Sequence, residues 1–186
     1  RDPGETRDVA DDGTCDGLRG PLLGWIDAAQ YPPDVAARLA DALPQDRPRP
    51  RQPVTADFGD EVRLLGVDLG APRVRAGEEL ALTWYFESRR RLDGDWKVFV
   101  HFDRAGRFFQ GDHVPAGGAL PFARGPAGGF VADRQTVRVP PGTAPGEYTI
   151  YMGLWRSGKG NKPVRNAGAH DGGQNRVRVG TIEIVP

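Results

Sequence analysis

Histidine is scarce in this chain, and all three copies stand beside an aspartate: His101-Phe102-Asp103, Asp112-His113 and His170-Asp171. On a strand, His101 and Asp103 are two residues apart and project from the same face. A turn at Arg104-Ala105-Gly106-Arg107 would fold the following segment back so that Gln110 or its neighbour lies opposite His101. Asp112 and His113 would then come near that sheet. Two imidazoles and two carboxylates can bind zinc or another divalent ion. No HxxxH or cysteine spacing supports such a site, and the alternative is four ordinary turn and strand-end hydrogen bonds.

A second chemistry is aromatic. If Tyr148, Ile150, Met152 and Leu154 face a core, Tyr151 and Trp155 point outward with Gly153 between them. Two exposed rings flanking a glycine make a platform on which the apolar face of a sugar can stack. The competing expectation is that a loop, or the N-terminal helices, covers both rings. Trp84 and Trp96 fall on core-facing positions. Serine occurs only at Ser88 and Ser157, neither in a Gly-x-Ser-x-Gly setting. No carboxylate pair is singled out for glycoside hydrolysis. Two glycine-rich stretches, Val114–Gly129 and Ser157–Gln174, lack the Gly-x4-Gly-Lys-Ser/Thr pattern that cradles phosphate. They suit the ends of a sandwich, where binding loops occur.

The elements that would carry these residues are strands. From Phe58 onward the apolar pattern alternates: Val62, Leu64 and Val67, then Leu80, Leu82, Trp84 and Phe86, then Trp96, Val98, Val100 and Phe102. Phe108–Gln110, Val131–Val139, Tyr148–Trp155 and Arg176–Ile184 add four more. Seven or so short strands with Gly/Pro turns predict an all-β fold, an antiparallel immunoglobulin-like β-sandwich of about 7–9 strands. Gly146-Glu147-Tyr148 resembles the tyrosine corner of immunoglobulin-like domains, whose phenol bonds upstream backbone. In the last strand Val177 and Val179 are odd-numbered while Ile182 and Ile184 are even, so a bulge at Gly180 must absorb one residue.

Residues 1–52 differ, with 10 acids against 7 bases, where residues 53–186 hold 15 against 18. Arg1–Asp16 has almost no apolar residues and is expected to be extended or disordered. Leu18–Ala29 and Asp34–Leu43 show helical spacing, the second with Val35, Leu39 and Leu43 on one stripe and Pro32-Pro33 at its start. Gln45–Pro53 reads as a proline-rich linker. The expected organisation is an N-terminal arm, 1–52, and a sandwich domain, 53–186. Such short helices must dock on the domain or on a partner. The lone Cys15 lies among carboxylates that disfavour a thiolate and cannot form an internal disulfide. Starting at Arg1, the chain reads as a processed exported protein or an excised domain.

Over all 186 residues, 25 Lys and Arg balance 25 Asp and Glu, which argues against a nucleic-acid partner. No apolar run reaches the 18 residues a transmembrane helix needs.

Several segments resemble a β-sandwich domain of bacterial envelope proteins that often follows the multi-span part of membrane glycosyltransferases of the mannosyltransferase (GT-C-like) type. They are Phe58-Gly59-Asp60 with Val62–Val67, Trp96–Phe102, Gly111-Asp112-His113, Val139–Thr149 and Arg176–Thr181. The resemblance covers about residues 58–186. It implies an accessory, non-catalytic domain in the periplasm or at the outer surface, and it carries over no catalytic residues.

The function expected is therefore a non-enzymatic extracytoplasmic module, without cofactor, making protein–protein contacts in a membrane-associated or envelope assembly. Its partner would be another protein or a parent membrane protein. The rival is a carbohydrate-binding module using Tyr151 and Trp155 on a glycan. A metal-dependent hydrolase around His101, Asp103, Asp112 and His113 stands third.

Overall fold

The computed structural model describes residues 33–120, 122–123 and 127–186. Cys15, the extended start and the helix expected over Leu18–Ala29 lie outside them. The chain enters through helix α1, Pro33–Ala42, and then runs through strands β1 (Gln52–Phe58), β2 (Val62–Leu69), β3 (Arg73–Arg75), β4 (Glu79–Ser88), β5 (Lys97–Arg104) and β6 (Arg107–Gln110). It continues through β7 (Phe130–Arg138), β8 (Gly146–Arg156), β9 (Gly160–Asn161), β10 (Val164–Arg165) and β11 (Val177–Val185).

Two sheets enclose the core. Sheet I has the order β10-β1-β2-β4-β7 and is antiparallel throughout. Sheet II has the order β3-β11-β8-β5-β6, with β9 paired to β8. Every strand with an alternating sequence puts its apolar half between the sheets. Trp84 and Phe86 of β4 meet Phe102 of β5 and Ile150, Met152 and Leu154 of β8 in one cluster, all nearly free of solvent contact. Each such side chain removed from water stabilises the fold by roughly 1.5–3 kcal/mol. The aromatic contacts include Phe102 stacked on Phe109 at 4.4 Å and Phe86 edge-on to Phe122 at 5.4 Å. Trp96 is buried as expected.

Three local devices follow the sequence. Ala105 and Gly106 both have positive φ, 51° and 80°, the pair of conformations that closes a tight hairpin. That turn sets His101 directly opposite Gln110. The Tyr148 hydroxyl donates to the Ala144 carbonyl at 2.9 Å, pinning the loop before β8. The pairing of β11 with β8 shifts between Arg178 and Gly180, so Val177, Val179, Ile182 and Ile184 all stay buried.

Three features depart from expectation. Sheet II is mixed, because β3 lies parallel to β11. After the turn at Gly70-Ala71-Pro72 the chain crosses to the other sheet, where Arg73 pairs with Glu183 at 2.7 Å; three residues are too few to show a period. A strand, β1, starts inside the expected proline-rich linker. Pro53 fits there because β10 covers only Asp57 and Phe58, and the ladder with β2 is irregular between Pro53 and Ala56. Eleven strands are described where about 7–9 were expected, the excess being the very short β3, β9 and β10. Helix α1 takes the first of its two expected places, docking on the domain with Leu39 and Ala42 in the core beside β7 and the turn at Pro115–Gly118.

Candidate functional site

The outer face of sheet II carries the aromatic chemistry. Alternation along β5 turns Lys97, Phe99, His101 and Asp103 away from the core, and along β8 it turns Thr149, Tyr151, Gly153 and Trp155 the same way. The register sets Lys97 opposite Trp155, Phe99 opposite Gly153 and His101 opposite Tyr151. Cross-strand partners on one face pack against each other, and here the pairing is complementary. A Cβ at Gly153 would come within 2.5 Å of the Phe99 ring, so the absence of a side chain lets that ring lie over the β8 backbone. Phe99 leans on His101 at 5.0 Å, and His101 on Phe108 at 5.6 Å. Phe108 is 60% exposed, standing out on the edge strand β6.

Between these elements opens a shallow cavity of about 200 Å³, lined by Phe99, His101, Asp112, Trp155 and Asn161. Its polar groups have definite roles. The Gln110 amide donates to His101 Nε2 at 3.0 Å, which leaves the ring proton on Nδ1. Burial holds the His101 pKa below its ordinary value, as does Arg176 to a smaller degree, against the opposing pull of Asp112 and Asp103. His101 is thus a neutral imidazole with a donor to offer. Asp112 Oδ1 accepts from the Val100 N–H at 3.1 Å. Asn161 Nδ2 donates to the Gln174 carbonyl at 3.1 Å, leaving its own oxygen to accept. The Trp155 indole N–H is buried and has no acceptor among the described residues. Buried donors without partners are uncommon, and one in a cavity wall marks a site not optimised for the isolated fold.

The platform expected of Tyr151 and Trp155 forms only in part. The guanidinium of Arg176 covers the Tyr151 ring at 3.9 Å, and Gly172 packs close against the same ring. Phe99 fills the gap over Gly153. Tyr151 therefore serves as a floor under the 168–176 loop, while Trp155 remains half-exposed in the cavity wall with Lys97 Nζ 5.7 Å from its ring. The cover comes from that loop and not from the helix α1, which sits beside β7. Phe99, Asn161 and Asp112 in its non-metal role were not singled out from the sequence. Phe99 was detectable as the outward residue opposite Gly153; Asn161 sits in a two-residue strand that no pattern announces.

The four residues considered for a cation do not converge. His101 bonds Gln110, Asp103 Oδ1 accepts from the Gly106 N–H at 3.1 Å, and Asp112 accepts from Val100. His113 turns inward, its Nε2 2.6 Å from Asp133 Oδ2 and its Nδ1 3.1 Å from the Gly111 carbonyl. Among the described residues, no three His, Cys, Asp or Glu side chains group as a metal would require. The physical reason is the bridge of His113 to Val98, which sends the imidazole through toward β7 and away from His101. His170, the third histidine, has Nδ1 2.9 Å from the Arg178 carbonyl.

Sheet I carries a different kind of polar cluster. Asp57, only 4% exposed, receives Arg63 through two bonds of 2.6 and 2.9 Å and the Asn166 amide at 2.6 Å, with Arg89 at 3.4 Å. The bond from Arg63 is the main reason its carboxyl lies at about 2; burial opposes that shift, and Asn166 and Arg89 assist it. Lys162, also buried, reaches Glu61 at 3.2 Å and lies 5.0 Å from the Trp96 ring.

No family model matches this chain, and no curated protein matches it. Among solved structures it is similar to the Pseudomonas fluorescens alkylpurine DNA glycosylase AlkC bound to DNA containing an abasic site analogue, at 14% identity and a TM-score of 0.37. That alignment covers 68% of this chain and 30% of the glycosylase chain. At that TM-score the likeness carries no argument about chemistry.

Proposed function

We propose that the protein is a non-enzymatic recognition module of immunoglobulin-like form that binds glycan on the outer face of sheet II. One observation carries the reading: Phe99, His101, Trp155, Asp112 and Asn161, from three strands and a loop, share one open cavity. Aromatic surface beside convergent hydrogen-bonding groups is what a sugar ring requires, with an apolar face to stack and hydroxyls to satisfy. The opening is smaller than the ~300–1,000 Å³ usual for drug-sized ligands, which suits a single ring of a longer chain. Titrating the full chain with a panel of oligosaccharides, read by amide chemical shifts, is expected to move the resonances of residues 99, 101, 112, 155 and 161 together. A panel that moves none of them overturns the reading.

A protein-contact role in an envelope assembly is favoured by a separate feature. Strand β6 ends sheet II with only β5 beside it, and its Phe108 is the most exposed large apolar side chain described. Such an edge can accept a strand from another chain. Phe108→Asp abolishing co-purification with a partner, while leaving sugar titrations intact, supports this second use of the face; unchanged co-purification removes it.

A further inference from the structure

We infer that Asp112 is the specificity-determining acceptor of this cavity, and that the sugar it selects is a neutral, hydroxyl-rich ring and not an acidic one. This rests on the glycan reading above and adds the ligand's chemical class.

The case begins with how firmly Asp112 is held. On its N-terminal side, Gly111 donates its N–H to the Val100 carbonyl at 2.8 Å. The Gly111 carbonyl accepts from the Gln135 amide and faces His113 Nδ1. Gln135 is itself oriented by the Trp84 indole N–H, which donates to its oxygen at 2.8 Å. A Cβ at Gly111 would come within 2.6 Å of Val137 and 2.8 Å of Gln135, so only glycine lets the chain pass this close to β7. On the C-terminal side, His113 exchanges two backbone bonds with Val98 at 2.9 and 3.0 Å. Its ring reaches Asp133, which is fully buried and takes a further bond from the Ala116 N–H at 2.8 Å. Both neighbours of Asp112 are therefore anchored across the sandwich to sheet I. A group fixed this way contributes its hydrogen bonds without a large ordering cost on binding.

What Asp112 offers follows from what it has already used. Oδ1 is committed to Val100, and Oδ2 has no protein partner among the described residues. No ion pair involving Asp112 occurs among them either. A free carboxylate oxygen accepts hydroxyl protons through charge-assisted bonds and repels an incoming carboxylate or sulfate. The free Asn161 oxygen adds a second acceptor, and His101 Nδ1 a donor. A ligand meeting two acceptors must bring O–H donors. A cationic ligand would meet Lys97 at the Trp155 ring and Arg176 over Tyr151, which already occupy the aromatic faces such a ligand would seek.

The test uses the full chain, neutral gluco-, galacto- and manno-oligosaccharides, and the matching hexuronate oligomers, each followed by amide shifts. Wild type is expected to bind at least one neutral series at least tenfold more tightly than any hexuronate. Asp112→Asn keeps the bond to Val100 through its amide oxygen, and the residue is exposed, so the fold is expected to persist by circular dichroism. This variant should erase most of that tenfold preference, and Asp112→Ala should weaken neutral binding about tenfold. A wild-type chain that binds hexuronates as well as neutral sugars, or an Asp112→Asn chain with the preference intact, overturns the inference while the glycan reading stands. Absence of binding to every oligomer overturns both.

Discussion

The outward faces of the two sheets hold polar groups under opposite conditions. On sheet I, Asp57 is buried and every oxygen is engaged by Arg63, Asn166 or Arg89. On sheet II, Asp112 leaves one oxygen open, Asn161 leaves another, and the Trp155 N–H is buried without an acceptor. A buried charge survives folding only when paired and hydrogen-bonded, so the Asp57 cluster is what a structural ion network looks like. The open oxygens of Asp112 and Asn161 are exposed to solvent and so remain free to accept from a ligand. The contrast separates residues kept for the fold from residues available to a ligand, and mutations can test it from either side.

The largest effect is expected at Asp57. Removing one member of a buried pair leaves the others uncompensated, which costs about 3–5 kcal/mol. Arg63 and Arg89 keep side-chain exposures of 27% and 34%, so solvent recovers some of the loss and Asp57→Ala should cost about 3 kcal/mol by denaturant unfolding, with no change at the cavity. The same carboxyl gives a pH signature. Its folded value of about 2 lies below the model-peptide value of 3.8, so its stabilisation is complete above that upper value and is lost as pH falls through the window between them. Asp57→Asn should flatten the acid limb of the stability curve. An unchanged acid limb would show that the network contributes no more than the face opposite.

Next comes Gly153→Ala, which reverses the logic by striking the cavity through packing. The added methyl would lie 2.5 Å from the Phe99 ring. Overpacking of this kind costs about 1–3 kcal/mol, and Phe99 must shift, so sugar binding should fall along with stability. A stable variant with intact binding would mean that the ring position over Gly153 is not what shapes the site.

Tyr148→Phe is expected to cost less, about 1 kcal/mol, because one hydrogen bond is lost and the ring stays packed. Only the loop at Ala144 should loosen, read as faster amide exchange there, and binding should be untouched. The same tyrosine shows what was legible beforehand. Its bond to upstream backbone, the hairpin register that sets His101 against Gln110, and the bulge before Gly180 all follow from local rules: a Gly-x-Tyr corner, a turn with two positive φ values, a change of parity. The parts that were not legible are long-range or very short. His113 finds its partner Asp133 twenty residues away, on the other sheet, and no local spacing encodes that. The three residues of β3 and the two each of β9 and β10 cannot display a period at all. Tyr151 pointed outward as its parity required, but parity does not say that Arg176 and Gly172 will cover the ring.

The smallest effect belongs to His101, where the two classes of residue meet, since it lines the cavity and is also packed between Phe99 and Phe108. Burial is the main cause of its lowered pKa; Arg176 adds to the lowering, while Asp112 and Asp103 pull the other way. A base whose folded pKa is depressed binds fewer protons when folded than when unfolded, so stability rises with pH across the interval between the two values. Its contribution is complete above the ordinary histidine value of 6.5 and declines as the solution is acidified below it. His101→Gln should remove this mild slope near neutral pH while leaving the steeper acid limb set by Asp57. A sugar seated in the cavity buries the imidazole further and favours the neutral ring still more, so affinity should weaken in the same direction, as pH drops below 6.5. The slope of affinity should therefore vanish in His101→Gln. Should it persist there, the protonation that controls binding lies on another group, and His101 belongs with the structural residues of sheet I and not with the recognition face.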